Sequence, residues 1–180
     1  RLREPCFTGH TGFIAGLCGA SRYCMMLASP QILVTHVSTH VSLREAIERL
    51  NADRIADVIA LTGNVVARLG RPDRIAVLGL NPHAGEGGAF GCEEADHIRP
   101  AVERMKEGGA NVVGPLPPDA VFAKAIAGEF GAIVCMYHDQ GHIPMKLAGF
   151  DDTVTATLGL PTVRTSAHHG TALAIAGQGL

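Results

Sequence analysis

Apolar positions along the chain recur in two periods, about 3.6 and about 2, in alternating blocks. Residues 32–37 form a short apolar run ending in Thr35, His36 and Val37, a strand pattern. Ser42-Leu43-Arg44-Glu45 is a capping box: Ser42 can accept from the first turn and Glu45 can reach back, so a helix runs to about Leu50. A second helix spans residues 52–69, where Gly70 and Pro72 stop it. Residues 74–78 read as a strand and residues 81–91 as a polar, Gly-rich loop. Ala95, Ile98, Val102 and Met105 make a helical stripe across residues 93–106, with a kink expected at Pro100. Residues 111–113 are a short strand, residues 115–118 a rigid loop, and Asp119 can cap a helix to about Glu129. The unbroken apolarity of residues 132–137 predicts a buried strand, and residues 153–157 alternate as another. Residues 6–12 read as a loop motif and residues 171–176 as a helix. The alternation predicts an α/β fold: a mostly parallel sheet with helices on both faces, in one lobe spanning residues 1–180.

Composition narrows the class. Nearly half of the residues are hydrophobic (47%), which is globular rather than disordered. A formal net charge of −2 without a basic block argues against nucleic acid and against an anionic membrane surface. No apolar run approaches the roughly 20 residues of a membrane span, and no secretory signal is read. The cysteines are five, an odd number, with no Cys-x-x-Cys pair, which suits reduced thiols in a cytoplasmic protein rather than a disulfide scaffold or zinc ribbon. Arg1 stands where an initiating methionine is usual, which gives the expectation of a fragment. An exposed apolar face should then mark the missing parts.

Chemistry-bearing residues gather after the predicted strands. In open α/β sheets, ligands sit beyond the carboxyl ends of the strands. Three strands run into histidines: Val37-Ser38-Thr39-His40, Leu80-Asn81-Pro82-His83 and Met136-Tyr137-His138. His40, His83 and His138 can therefore converge as neutral ligands of a divalent metal, or serve as loop histidines with local hydrogen bonds. His36, on the strand itself, reads as structural. The loop carrying Gly85, Gly87 and Gly88 is either a plain turn or a place where backbone closely approaches a cofactor or anion. Lys146 and Arg164 are lone cations in apolar or small-residue segments, facing an anionic substrate group or a structural carboxylate.

Several strings together resemble the 4-hydroxythreonine-4-phosphate dehydrogenase family, which includes 4-phospho-threonate and 4-phospho-erythronate dehydrogenases. They are Thr8-Gly9-His10-Thr11, Ser38-Thr39-His40, Asn81-Pro82-His83-Ala84-Gly85-Glu86-Gly87-Gly88, Gly114-Pro115-Leu116-Pro117-Pro118-Asp119, Tyr137-His138-Asp139-Gln140-Gly141, Thr157-Leu158-Gly159-Leu160-Pro161 and Arg164-Thr165-Ser166. The resemblance implies metal ligands at His40, His83 and His138, shared between the two chains of a homodimer. It implies substrate contacts at His10, Thr11, Lys146 and Arg164, and an acidic group near the metal at Asp119, a candidate catalytic base. The fold it implies is two lobes of the isocitrate dehydrogenase type, with the first lobe and the C-terminal helix absent here.

The implied reaction is oxidation, with decarboxylation, of a 4-phosphorylated hydroxy acid, using NAD or NADP and Zn, Mg or Co. Three positions depart from the family pattern. Thr155 stands for a substrate-binding asparagine, Gly12 for a glutamate, and Ala167-His168-His169-Gly170 for Val-Asp-His-Gly. Gly141-His142-Ile143-Pro144 is closer to the phospho-threonate branch. Two alternatives stand beside this reading: a cis-dihydrodiol dicarboxylate dehydrogenase of aromatic catabolism, and a non-catalytic metal- or phosphate-binding fragment. The imidazoles of His40 and His83 are expected at neighbouring strand ends, with His138 beyond ligand distance of them in a single chain.

Overall fold

Within the central strands, successive residues belong to different cores. The computed structural model describes residues 10–149, 152–167 and 177–178. Ile75 and Val77 lie in one apolar cluster with Ile55, Val58 and Val102, while Ala76 and Leu78 lie in a second with Val121, Phe130 and Met145. Ala132 and Val134 divide from Ile133 and Cys135 in the same way. Such strands are covered on both faces, which is why their sequences are continuously apolar.

The strands are β1 (Cys24–Ala28), β2 (Leu33–His36), β3 (Ile75–Leu78), β4 (Val112–Leu116), β5 (Ala132–Cys135), β6 (Val154–Leu158) and β7 (Arg164–Ala167). They form one sheet in the order β4-β3-β5-β2-β1-β6-β7. β4, β3, β5 and β2 pair in parallel, and β1, β6 and β7 continue the sheet through antiparallel pairings. Only β1 and β7 therefore run against the common direction, and the expected mostly parallel α/β sheet is what forms. The helices are α1 (His10–Leu17), α2 (Leu43–Glu48), α3 (Ala52–Arg68), α4 (Arg99–Glu107), α5 (Pro118–Ile126) and α6 (His138–Gly149).

α3 buries Ile55, Val58, Ile59, Thr62 and Val66, one stripe at helical spacing. Each large aliphatic in that stripe contributes about 1.5–3 kcal/mol by leaving water. Thr62 adds a polar stitch, its hydroxyl lying 2.8 Å from that of Thr35 on β2. α3 and α4 cover one face; α5 and α6, through Val121, Ala125 and Met145, cover the other. Ser42 caps α2 by accepting from the Glu45 N–H, as its capping box predicts.

Several elements differ from the sequence expectation. Residues 93–106 bend through a π-turn (Glu94–Ile98) ahead of α4, whose first turn holds Pro100. Asp119 lies inside the first turn of α5 rather than capping it, because Pro117 already occupies the cap position. β4 runs on to Leu116 through Pro115, in a segment expected to be loop. α1, β1, α6 and β7 were not predicted, and residues 10–12 are helical rather than loop. The expected helix at 171–176 and the strings at 6–9 and 168–170 lie outside the described residues. Large apolar side chains stand in solvent on α1 (Phe13, Leu17), on α6 (Ile143, Leu147) and at Val163. Among the described residues, no helix is long and apolar enough to cross a membrane.

Candidate metal and substrate site

β2, β5 and β3 are parallel, so the segments that leave them emerge on one edge of the sheet. That edge carries His40, His138 and His83, in the order of those strands. β5 lies between β2 and β3, so His40 and His83 do not follow adjacent strands as expected. The rings of His40 and His138 are 5.7 Å apart between centroids, so His138 is not remote from both other histidines as expected in one chain. At that spacing both imidazoles can reach one ion, with metal–nitrogen bonds of about 2.0–2.1 Å.

Three clefts run along this edge and share walls. The first, about 340 Å³, is lined by Thr11, Tyr23, Ser38, Thr39, His40 and Arg54, among others. The second, about 320 Å³, begins at Thr39 and His40 and ends at Tyr137, His138 and Asp139. The third, about 410 Å³, starts from Tyr137 and Gln140 and holds His83 and Asp119. His40 thus divides the first two clefts, and Tyr137 divides the second from the third. Among the described residues, no group of three or more His, Cys, Asp or Glu side chains is assembled to hold a metal. Within one chain, the structure thus brings the His40 and His138 rings near each other.

His138 opens α6 and is about one-third exposed. Its Nδ1 lies 2.6 Å from the Asp139 carboxylate, which favours a proton on Nδ1 and leaves Nε2 as a lone-pair donor. His142, one turn on, stacks against it at 3.6 Å with the planes 10° apart, and its Nδ1 lies 3.0 Å from the His138 carbonyl. Behind them His36 is fully buried. Burial first, and then the neighbouring His142 and His138, hold the His36 imidazole well below its usual pKa, so it is neutral. Gly141 makes this column possible: a Cβ there would run into His36 Nε2 and sit 2.7 Å from Val34 Cγ1.

Two carboxamide and carboxylate groups set the strand-end loops. Gln140 accepts from the Met136 N–H at 2.7 Å and donates to the Gly79 carbonyl at 2.7 Å, tying the end of β5 to the end of β3. Glu94 is 3% exposed, and its carboxylate accepts from the backbone N–H groups of Leu80 and Asn81, both at 2.7 Å. It also accepts from Asn81 Nδ2 at 2.9 Å, which donates to Glu93 as well. That second bond holds the Glu93 carboxyl below its usual pKa. From this anchor the backbone of residues 83–87 turns through the left-handed region, His83 (φ 53°), Ala84 (φ 53°) and Glu86 (φ 42°) included. Gly85 is packed against Glu94: a Cβ would fall 2.6 Å from Oε2. The Leu80 and Asn81 amides, which a Gly-rich loop could aim at a ligand, are directed to this internal carboxylate. Gly87 and Gly88 remain at the surface.

At the other end, Arg164 on β7 donates from Nη1 to Thr157 Oγ1 (3.2 Å) and Thr11 Oγ1 (3.4 Å). Thr155 and Thr157 are both buried and two apart on β6, so they share a face. Thr11 lines the first cleft, which links this cluster to His40. His10 begins α1 and is exposed. Lys146 is exposed in the last turn of α6, about 12 Å along the helix axis from His138. Glu94, Gln140 and His142 were missed by sequence reasoning. All three belong to segments already singled out, but nothing in local spacing tells an internal clamp or a stacking partner from a ligand contact.

A sheet whose parallel strands deliver histidines and a carboxylate to one grooved edge, beside a threonine–arginine cluster from α1, β6 and β7, has the form of the α/β proteins that bind small ligands at strand ends. Residues 2–180 match the family described as "Pyridoxal phosphate biosynthetic protein PdxA", and the chain belongs to that family. It is 49% identical over 174 residues to a D-threonate 4-phosphate dehydrogenase of Pectobacterium atrosepticum, covering 96% of this chain and 53% of that protein. It is 53% identical over 182 residues to a 4-hydroxythreonine-4-phosphate dehydrogenase of Desulfosudis oleivorans, covering 99% and 54%. A crystal structure of 4-hydroxythreonine-4-phosphate dehydrogenase from Klebsiella pneumoniae superposes with a TM-score of 0.85 at 48% identity, over 94% of this chain and 52% of that one. The chain spans about half the length of the curated relatives it matches.

Proposed function

We propose that this chain is the metal- and substrate-holding lobe of an NAD(P)-linked dehydrogenase acting on a hydroxyl of a small 4-phosphorylated hydroxy acid. D-threonate 4-phosphate and 4-hydroxythreonine 4-phosphate are the first candidates, as the substrates named by relatives of similar identity. The observation that carries the reading is the run of three adjoining clefts from the Thr11–Arg164 cluster past His40 and His138 to His83 and Asp119. A groove with cationic and hydroxyl donors at one end and imidazoles at its centre suits a substrate that is anionic at its ends and oxygen-rich between.

When bound, a divalent metal supplies Lewis acidity toward the substrate hydroxyl, and the nicotinamide supplies the hydride acceptor. His40, His83 and His138 would hold the metal, with one donor coming from a second copy of the chain in a homodimer. Asp139 keeps the His138 ring in the tautomer that donates through Nε2. Arg164, steadied by Thr11 and Thr157, would turn its planar guanidinium to a carboxylate or phosphate, with Thr155 on the same strand face, His10 opening the adjacent helix and Lys146 adding charge. Asp119, beside His83, is the candidate to move a proton from the substrate hydroxyl. Gly87 and Gly88, with Gly85 beneath them, would let the turn lie close to the cofactor.

The test is complementation in the full-length protein. His83→Ala and His138→Ala homodimers should each lose activity, and mixed dimers should recover part of it, because one of the two shared sites keeps every ligand. A well-formed heterodimer with no recovery refutes the shared site. NADH or NADPH formation on each candidate substrate then separates the two acids.

A further inference from the structure

His138 is held at one atom by Asp139, and a single hydrogen bond leaves a ring free to rotate about that bond. The structure supplies the missing restraint. His142 lies four residues on in α6, the spacing that places side chains one above the other on a helix face. Its ring covers the face of His138 at 3.6 Å, nearly parallel to it, and its Nδ1 is anchored 3.0 Å from the His138 carbonyl. His142 is itself buried and backed by His36, 4.7 Å away and tilted by 45°. Gly141 allows α6 to approach β2 closely enough for that backing.

We propose that His142 is a positioning residue: stacked on His138 and backed by His36, it fixes the plane of the His138 ring and so the direction in which Nε2 is presented to the metal. This rests on the assignment of His138 as a ligand made above. The stack explains why a partly exposed side chain at a helix start can serve as a ligand with a defined direction. It also makes residue 142 a determinant of the metal site although it does not touch the ion. An aromatic ring of another kind should replace it; an aliphatic or amide side chain should not.

The experiment uses the metal-free full-length protein titrated with Co²⁺, read by the visible absorption of the bound ion. His142→Leu and His142→Asn should weaken Co²⁺ binding by about 10–100-fold, the usual effect of losing an outer support of a ligand, and alter the absorption band. His142→Phe, which keeps the flat ring and loses the hydrogen bond, should bind Co²⁺ as the unmodified protein does. Wild-type affinity and spectrum in a folded His142→Leu or His142→Asn overturn the proposal, as does a His142→Phe as weak as His142→Asn. If His142→Leu does not fold, the Asn and Phe variants carry the comparison. His138→Ala separates the two levels: Co²⁺ binding and spectrum unchanged in that variant refute the ligand assignment itself.

Discussion

Replacing Glu94 by alanine tests whether the His83 turn is held open by one buried carboxylate. Three non-glycine residues of that turn lie in the left-handed region, at about 1–2 kcal/mol each, so the turn stores on the order of 3–6 kcal/mol. Glu94 offsets this with charge-assisted bonds to two backbone N–H groups and one side-chain amide. Asn81 Nδ2 keeps Glu93 as a second acceptor, so alanine would strip the two backbone donors above all. Each orphaned donor costs about 1–3 kcal/mol, giving an expected loss of about 2–6 kcal/mol in urea unfolding of the full-length protein. Glu94→Gln keeps an oxygen for both backbone donors but turns an amide toward Asn81 Nδ2, and should lose less. Both variants should weaken metal binding, because His83 hangs from the turn that Glu94 anchors. A Glu94→Ala protein within about 1 kcal/mol of wild type, with unchanged metal affinity, would refute the account.

Gly141→Ala should destabilise by about 1–3 kcal/mol or more, since its methyl would enter the space of His36 and Val34; adding His36→Ala should recover part of that loss, and strictly additive urea costs would show that His36 is not the obstacle. Burial pushes the Cys24 thiol up to about 12, against the opposing pull of Arg54. The unfolded chain therefore gives up that proton first, so stability should fall as pH rises above about 9, by about 1.4 kcal/mol per pH unit from this group. Cys24→Ala should flatten the alkaline slope of unfolding free energy by that amount, and an identical slope contradicts the shift. Arg164→Lys keeps the charge but loses the planar guanidinium whose Nη1 is held by Thr11 and Thr157, so KM should rise with kcat little changed; steady-state kinetics giving the reverse would move Arg164 from holding substrate to the chemical step.

The parallel half of the sheet was readable because its strands are covered on both faces. Apolar runs at 32–34, 75–78 and 132–137 leave little choice, and the Ser42 and Gly70 signals bound the helices between them. β1 escaped notice because Cys24-Met25-Met26-Leu27-Ala28 has few β-branched residues; its pairing with β2 and β6 makes it a strand. α6 escaped because Gly141 and Pro144 argue locally against a helix, whereas Gly141 is demanded by a neighbour some hundred residues away in sequence. That strand ends would gather the histidines followed from handedness and parallel order. Which strand lies between which did not, since spatial order is decided by packing across the whole sheet. Glu94 was invisible for a related reason: a glutamate in a helical stripe reads as surface until the loop folds over it.

The place of β5 in the sheet also has a consequence in time. β2 and β3 cannot pair with each other; each pairs with a strand that is synthesised well after both. Val34 meets Ile133, and Ile75 meets Ala132, only when long stretches of chain have closed, the kind of distant pairing that slows folding. Until β5 inserts, the ends bearing His40 and His83 have no common wall, and Gln140 has not tied the edge together. A chain still on the ribosome, or arrested before residue 132, would carry two of the three histidines without a groove to hold them. A site built on those histidines would thereby take shape only once β5 has joined the sheet.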